Sequence, residues 1–166
     1  QGKHIIHLEI GEPDFDTPRN IKEAAVKALN AGYTHYTPAS GIPEFREVIA
    51  EYVSKTRKID VLPEEVVVTP GAKPIIFFSI LACVEPGDEV MYPNPGFPIY
   101  ESMVNFLGAE PVPMPLKEEN DFAIDNDDTV DKITKKTKMI ILNLPGNPAG
   151  GVLTKDNLEV IADRIK

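Results

Sequence analysis

The chain has 166 residues, 42% of them hydrophobic, enough for one substantial core and for one domain rather than two. Lysine and arginine total 17 against 26 aspartate and glutamate; the formal net charge of -9, with neither sign collected into a block, argues against nucleic acid as a partner yet permits a local basic pocket. The one cysteine, Cys83, excludes an internal disulfide, and with no signal peptide or membrane span in view the expected compartment is the cytoplasm.

Gln1-Gly2 reads as the remnant of a tag-removal site. Ile5 to Ile10 opens extended and Gly11-Glu12-Pro13-Asp14-Phe15 breaks it. Thr17-Pro18 predicts a helix start, the hydroxyl capping, with Ile21, Ala24, Ala25, Ala28 and Leu29 on one face and Gly32 closing the element. After a polar loop from Tyr33 to Ile42, Phe45, Val48, Ile49, Tyr52 and Val53 repeat the helical spacing beyond Pro43. Both helices are amphipathic and are expected to cover a core.

From Glu65 the pattern alternates. Val66 to Thr69 reads as a strand, Ala72 to Val84 as a helix apolar nearly all round, and Glu89 to Tyr92 as a strand. A turn at Pro93 to Gly96 then precedes a helix carrying Ile99, Tyr100, Met103, Val104 and Leu107. Pro111 to Met114 and Lys138 to Asn143 read as further strands, and the acidic stretch Glu118 to Asp131 as a solvated connection. Thr154 caps a last helix with Leu158, Ile161, Ala162 and Ile165 on one side. Alternation of this kind predicts an α/β fold of three αβα layers around a mostly parallel sheet. Such strands need cover on both faces, so an incomplete domain should expose apolar surface.

Three stretches could carry chemistry. Thr69-Pro70-Gly71-Ala72-Lys73 places a glycine and the free amides of Gly71, Ala72 and Lys73 at a helix N-terminus, which attracts phosphate. It is neither a Walker loop nor a Gly-x-Gly-x-x-Gly turn. Pro95-Gly96-Phe97-Pro98 holds Phe97 between prolines, a ring suited to stacking on a flat ligand. Asn143 to Gly151, NLPGNPAGG, is a rigid loop after an apolar run, with Asn147, pinned by Pro148, expected to point inward. Singly, each reads equally well as an ordinary turn or a core plug. Together they place an anion cradle, a stacking ring and an amide at the carboxyl edge of a parallel sheet, where such folds bind ligands. His4, His7 and His35 show no metal spacing, and Glu44 and Glu47 read as a solvated helix face.

Gly11-Glu12-Pro13-Asp14-Phe15, Tyr36-Thr37 with Gly41-Ile42-Pro43-Glu44-Phe45-Arg46, Gly71-Ala72-Lys73, the Asn-Pro-Gly-Phe-Pro turn and Asn147-Pro148 occur here in the order in which the pyridoxal-phosphate-dependent class I/II aminotransferases carry similar motifs. The chain resembles the aspartate aminotransferase branch of that family, of fold type I, from Leu8 to Gly151. The resemblance implies pyridoxal 5'-phosphate as cofactor, an amino acid and a 2-oxo acid as substrates, aspartate among the candidates, and a homodimer. It implies that Gly11 offers its backbone to the substrate carboxylate and that Tyr36 reaches the neighbouring subunit's cofactor phosphate. Gly71, Ala72 and Lys73 would hold the phosphate within the subunit, Phe97 would stack on the pyridine, and Asn147 would bond its phenolic oxygen.

Departures accompany the resemblance. Asn147-Pro148-Ala149-Gly150 stands where Asn-Pro-Thr-Gly is usual, and Phe97 stands where many aspartate-specific members have tryptophan. The family's Schiff-base lysine, its pyridine-pairing aspartate and its carboxylate-binding arginine are expected beyond Lys166, so no catalytic residue is assigned. The division expected is an N-terminal arm and first helix over 1–32 and a partial, truncated cofactor-binding large domain over 33–166. Two alternatives stay open: a non-catalytic stand-alone domain of the same fold, and a carbon-sulfur lyase or decarboxylase on the same scaffold.

Overall fold

The structure, a computed structural model, describes residues 5–6 and 10–165. His4, His7 and part of the extended opening expected over Ile5 to Ile10 lie outside the described residues. The chain groups into two compact units, Gln1–Val67 and Val68–Lys166, so the arm expected to end at Gly32 shares its unit with the second helix.

In the first unit, α1 spans Arg19–Asn30 and α2 spans Pro43–Arg57, with Pro43 in the first turn where its missing N–H costs nothing. Arg46 Nε donates to the Val66 carbonyl at 2.9 Å, tying α2 to the end of the unit. Thr17 does not cap α1. The cap position is Pro18, whose carbonyl takes the Ile21 and Lys22 amides at 3.1 Å each; the helix begins one residue later than expected, beyond reach of the hydroxyl. The expected core is also smaller. α1 buries no residue and leaves Ile21, Val26 and Leu29 more than half exposed, while α2 buries only Ala50. A helical stripe has the right period for burial, but only an opposing apolar surface can cover it.

The second unit is built on three parallel strands. β1 (Glu89–Asn94) lies in the middle, with β2 (Glu110–Pro115) on one side and β3 (Thr137–Ile140) on the other. Pairing continues past β3, the Ile141 amide donating to the Met91 carbonyl at 2.8 Å. Val66 to Thr69 is not a strand: β-branched residues favour extension, but a strand exists only where a neighbour takes its backbone bonds.

Neighbouring side chains on β1 point to opposite faces, and each starts a core. On one face Val90 packs with Ile80 and Val84 from α3 (Ala72–Cys83) and its continuation, and with Met103 and Val104 from α4 (Ile99–Phe106). On the other, Met91 packs with Met114, Ile124 and Ile133. The latter two residues bracket α5 (Asn126–Lys132), against which α6 (Lys155–Arg164) packs. This is the three-layer αβα arrangement. α3 is covered along one side only; Ile75, Phe78 and Leu81 are 51%, 56% and 45% exposed, the apolar exposure an incomplete domain should show.

The acidic stretch holds more structure than a solvated connection. Asp125 caps α5 by accepting from the Asp128 amide at 3.1 Å, and Asp127 and Asp128 sit in the first turn, where negative charge suits the helix dipole. Lys132 binds Asp128 at 2.6 Å and the Pro113 carbonyl at 3.1 Å, joining α5 to β2. The helix is short and mostly charged, so its apolar signal is too weak to read. The Thr154 cap is present as expected, its hydroxyl accepting from the Asn157 amide at 3.2 Å in a reciprocal box.

Candidate functional site

At the carboxyl end of the second unit's sheet, Phe97 follows β1 and begins the approach to α4, held partly buried by the turn before it. That turn is closed enough that a Cβ on Gly96 would stand 2.0 Å from the Pro93 carbonyl oxygen, so only glycine fits. The Phe97 ring meets Tyr100 edge-on, centres 6.1 Å apart and planes at 79°. On its other contact the Lys73 ammonium lies 5.9 Å from the ring centre, which brings the start of α3 to the loop after β1.

The start of α3 has the features of an anion site, with one change. Gly71 occupies the cap position at φ 92°, ψ 178°, and no side chain caps the helix. The Gly71 amide is not free as expected, because it donates to the Thr69 carbonyl at 2.9 Å; the Thr69 hydroxyl meanwhile donates to the Gly71 carbonyl at 2.8 Å. The turn that positions the helix end consumes that donor. Ala72 and Lys73, both exposed, remain at the first turn, where helical amides have no preceding carbonyl to meet.

The loop after β3 is closed on itself. The Gly146 amide donates to the Gly151 carbonyl at 2.8 Å and the Gly150 amide to the Gly146 carbonyl at 2.6 Å. Leu144-Pro145 and Asn147-Pro148 are cis. Gly151 anchors the far end, buried so tightly against Phe122 that a Cβ would lie 2.0 Å from its carbonyl oxygen. Asn147 is exposed, whereas Asn143 is partly buried and lines a cavity together with Ile76, Ile80 and Tyr100.

Lys73, Phe97 and Tyr100 therefore form one connected series, and Tyr100 shares a cavity wall with Asn143. Burial raises the Tyr100 pKa above its ordinary 10.0, and the neighbouring Asn143 side chain offsets part of that rise. The Tyr92 pKa, on β1, is also raised, first by burial and then by the nearby Glu101 carboxylate. Neither Tyr100 nor Asn143 stood out as a site residue in the sequence. The signal available was spacing, since Tyr100 falls one helical turn beyond Phe97 and Asn143 ends the apolar run. In the first unit Tyr36 is fully exposed and Gly11 has nothing within 4 Å of where a Cβ would stand. Among the described residues no three histidine, cysteine or carboxylate side chains gather as a metal site, and no helix is long and apolar enough to cross a membrane.

Known proteins resemble this chain in sequence and in fold. The aspartate aminotransferase of Pyrococcus horikoshii is 48% identical over 159 residues, covering 96% of this chain and 41% of the relative. A probable aspartate/prephenate aminotransferase of Aquifex aeolicus is 44% identical over 163 residues, covering 98% of this chain and 41% of its own length. The crystal structure of an aromatic aminotransferase from Pyrococcus horikoshii superposes with a TM-score of 0.88 at 44% identity, over 94% of this chain and 42% of that one. This chain thus spans about two fifths of the length of these relatives. The pattern of the aminotransferase class I and II family matches residues 3–166, and the chain belongs to that family.

Proposed function

We propose that this chain is the part of a pyridoxal-phosphate-dependent aminotransferase that receives the phosphate and one face of the cofactor ring. The parent enzyme would exchange an amino group between an amino acid and a 2-oxo acid. The observation that carries this reading is the contact of Lys73 with Phe97, which places a cation and an uncapped helix terminus beside an aromatic ring at the carboxyl edge of parallel strands.

The residues fit a phosphorylated aromatic ring. Ala72 and Lys73 offer first-turn amides and one ammonium to the phosphate, Gly71 shapes the turn, Phe97 supplies a planar face, and Asn147 on its rigid loop supplies an amide donor to the phenolic oxygen. Bound through a lysine, pyridoxal phosphate acts as the electron sink for chemistry at the amino acid's α-carbon. Full exposure leaves the Tyr36 ring available to a second subunit, consistent with a homodimer, and Gly11 leaves its backbone open to a substrate carboxylate. The Schiff-base lysine is assigned to sequence outside this chain, because Lys73 sits at the phosphate end of the site.

Pyridoxine 5'-phosphate, which lacks the aldehyde, tests the reading on the 166-residue chain by amide-detected nuclear magnetic resonance. Saturable shifts at Ala72, Lys73, Phe97 and Asn147 are expected, with no transamination by the chain alone. Saturable binding that leaves those four residues unmoved would remove the site from consideration.

A further inference from the structure

Between β2 and α5 the chain folds into a hook that reaches two loops of the candidate site. Its stem is the antiparallel bridge of Leu116 with Ile124. The Leu116 amide donates to the Asn94 carbonyl at 2.8 Å, at the end of β1 and just before the turn that carries Phe97. Within the hook the Lys117 carbonyl accepts the Asn120 and Phe122 amides at 3.1 and 3.0 Å, and the Ala123 amide donates to the Asn120 carbonyl at 2.9 Å.

At its tip Asp121 and Phe122 both have left-handed backbones, with φ of 50° and 54°. Aspartate tolerates that conformation, but phenylalanine is strained in it and persists there only where its surroundings over-determine it. The hook bonds supply part of that constraint, and contact with the next loop supplies the rest. The Phe122 carbonyl oxygen and the Ala123 nitrogen are the atoms that a Cβ on buried Gly151 would meet, at 2.0 and 3.0 Å. Two residues on, Leu153 packs on the same apolar cluster as Leu116 and Ile124. Gly151 is thus seated on the hook, and its carbonyl takes the Gly146 amide at 2.8 Å, which joins the closed loop carrying Asn147 to that seat.

We propose that Phe122 is a positioning residue, whose left-handed backbone seats Gly151 and so fixes the loop that presents Asn147 to a phosphorylated aromatic ligand. The proposal rests on the cofactor reading above for the ligand, but the seating itself does not depend on it. The conformation does the seating, not the ring. Phe122→Asn removes the ring and suits a left-handed backbone. Phe122→Pro holds φ near about −65° and removes the amide that the Lys117 carbonyl accepts, so it opens the hook.

The test is made on the 166-residue chain. In Phe122→Pro, hydrogen exchange at the Gly146 and Gly150 amides should quicken about fivefold, the effect of one lost hydrogen bond, and the Asn147 side-chain amide resonances should move. Phe122→Asn should leave both as in the wild type. Ile80→Val, which thins the core on the other face of the sheet, controls for lost stability and should also leave both unchanged. Gly151→Ala presses on the Phe122 carbonyl from the loop side; it should likewise move the Asn147 resonances, and it decides the matter where Phe122→Pro does not fold. Pyridoxine 5'-phosphate affinity should fall about fivefold in Phe122→Pro and hold in Phe122→Asn. Exchange and Asn147 resonances that are unaltered in Phe122→Pro and Gly151→Ala, or altered as much by Phe122→Asn or Ile80→Val, overturn the proposal, as does quickened exchange with undiminished affinity. A wild-type chain that binds no pyridoxine 5'-phosphate would refute the cofactor reading instead, while the contrast between Phe122→Pro and Phe122→Asn in loop exchange would still establish the seating.

Discussion

The Lys73 ammonium stands 5.9 Å from the centre of the Phe97 ring, joining the first turn of α3 to the loop that follows β1. The two residues come from different motifs, and only the packing of α3 and α4 on the same face of the sheet brings them together. A ring with a cation beside it and an edge-on tyrosine beneath has little freedom to turn, which suits it to receive a flat anion.

Replacing Phe97 by Ala should therefore weaken pyridoxal phosphate binding about fivefold, the effect of losing a stacking contact worth about 1 kcal/mol. Phe97→Tyr should retain affinity. Equilibrium dialysis of the parent enzyme measures both, and equal affinities for Phe97→Ala and wild type would show that the ring does not stack.

Asn147→Ala should raise the pH at which the bound cofactor's phenolic oxygen ionises, because an amide donor favours the charged oxygen and its loss favours the neutral one. The absorbance of the bound ring followed against pH reads this directly. A titration that does not move removes Asn147 from the ring.

Gly151→Ala should cost about 1–3 kcal/mol in urea unfolding, because the new Cβ would lie 2.0 Å from the Phe122 carbonyl oxygen and the backbone must shift. Gly11→Ala, where the space is open, should change stability by less than about 0.5 kcal/mol. Equal losses would mean that the loop's far anchor is not where the structure puts it.

The two threonine caps expected from sequence separate in the same assay. Thr154→Ala should lose about 1 kcal/mol, since its hydroxyl accepts the Asn157 amide, and Thr17→Ala should be near neutral, since no cap bond forms at α1. A large loss at Thr17 would restore the earlier helix start.

Alkaline stability should depend on Tyr92 and Tyr100. Both ionise above their ordinary 10.0 in the folded chain, Tyr92 through burial and then through Glu101, and Tyr100 through burial. Between the unfolded and folded values the folded chain keeps a proton that the unfolded chain has lost. The stability these groups contribute is complete below pH 10 and is lost as pH rises through the folded values. Urea midpoints should fall above pH 10 less steeply in Tyr92→Phe than in wild type, and identical slopes would contradict the assigned burial.

The sequence by itself determined the layers of the second unit. Val90 and Met91 alternate on a short apolar run, Ile80 and Val84 recur at helical spacing, and Thr154 stands as the cap of the last helix, because each of these rests on local periodicity or on bonds within a few residues. The motifs at Gly71, Phe97 and Asn147 were legible for the same reason. Tertiary structure decided what required a partner from elsewhere in the chain. Val66 to Thr69 has strand composition but no strand to bond, the stripe of α1 has period but no cover, and α5 is held by Lys132 reaching the Pro113 carbonyl more than by any apolar pattern of its own. The link from Lys73 through Phe97 to Tyr100 belongs to this second kind, since the side chains that complete it are set by how the loops meet and not by the residues beside them.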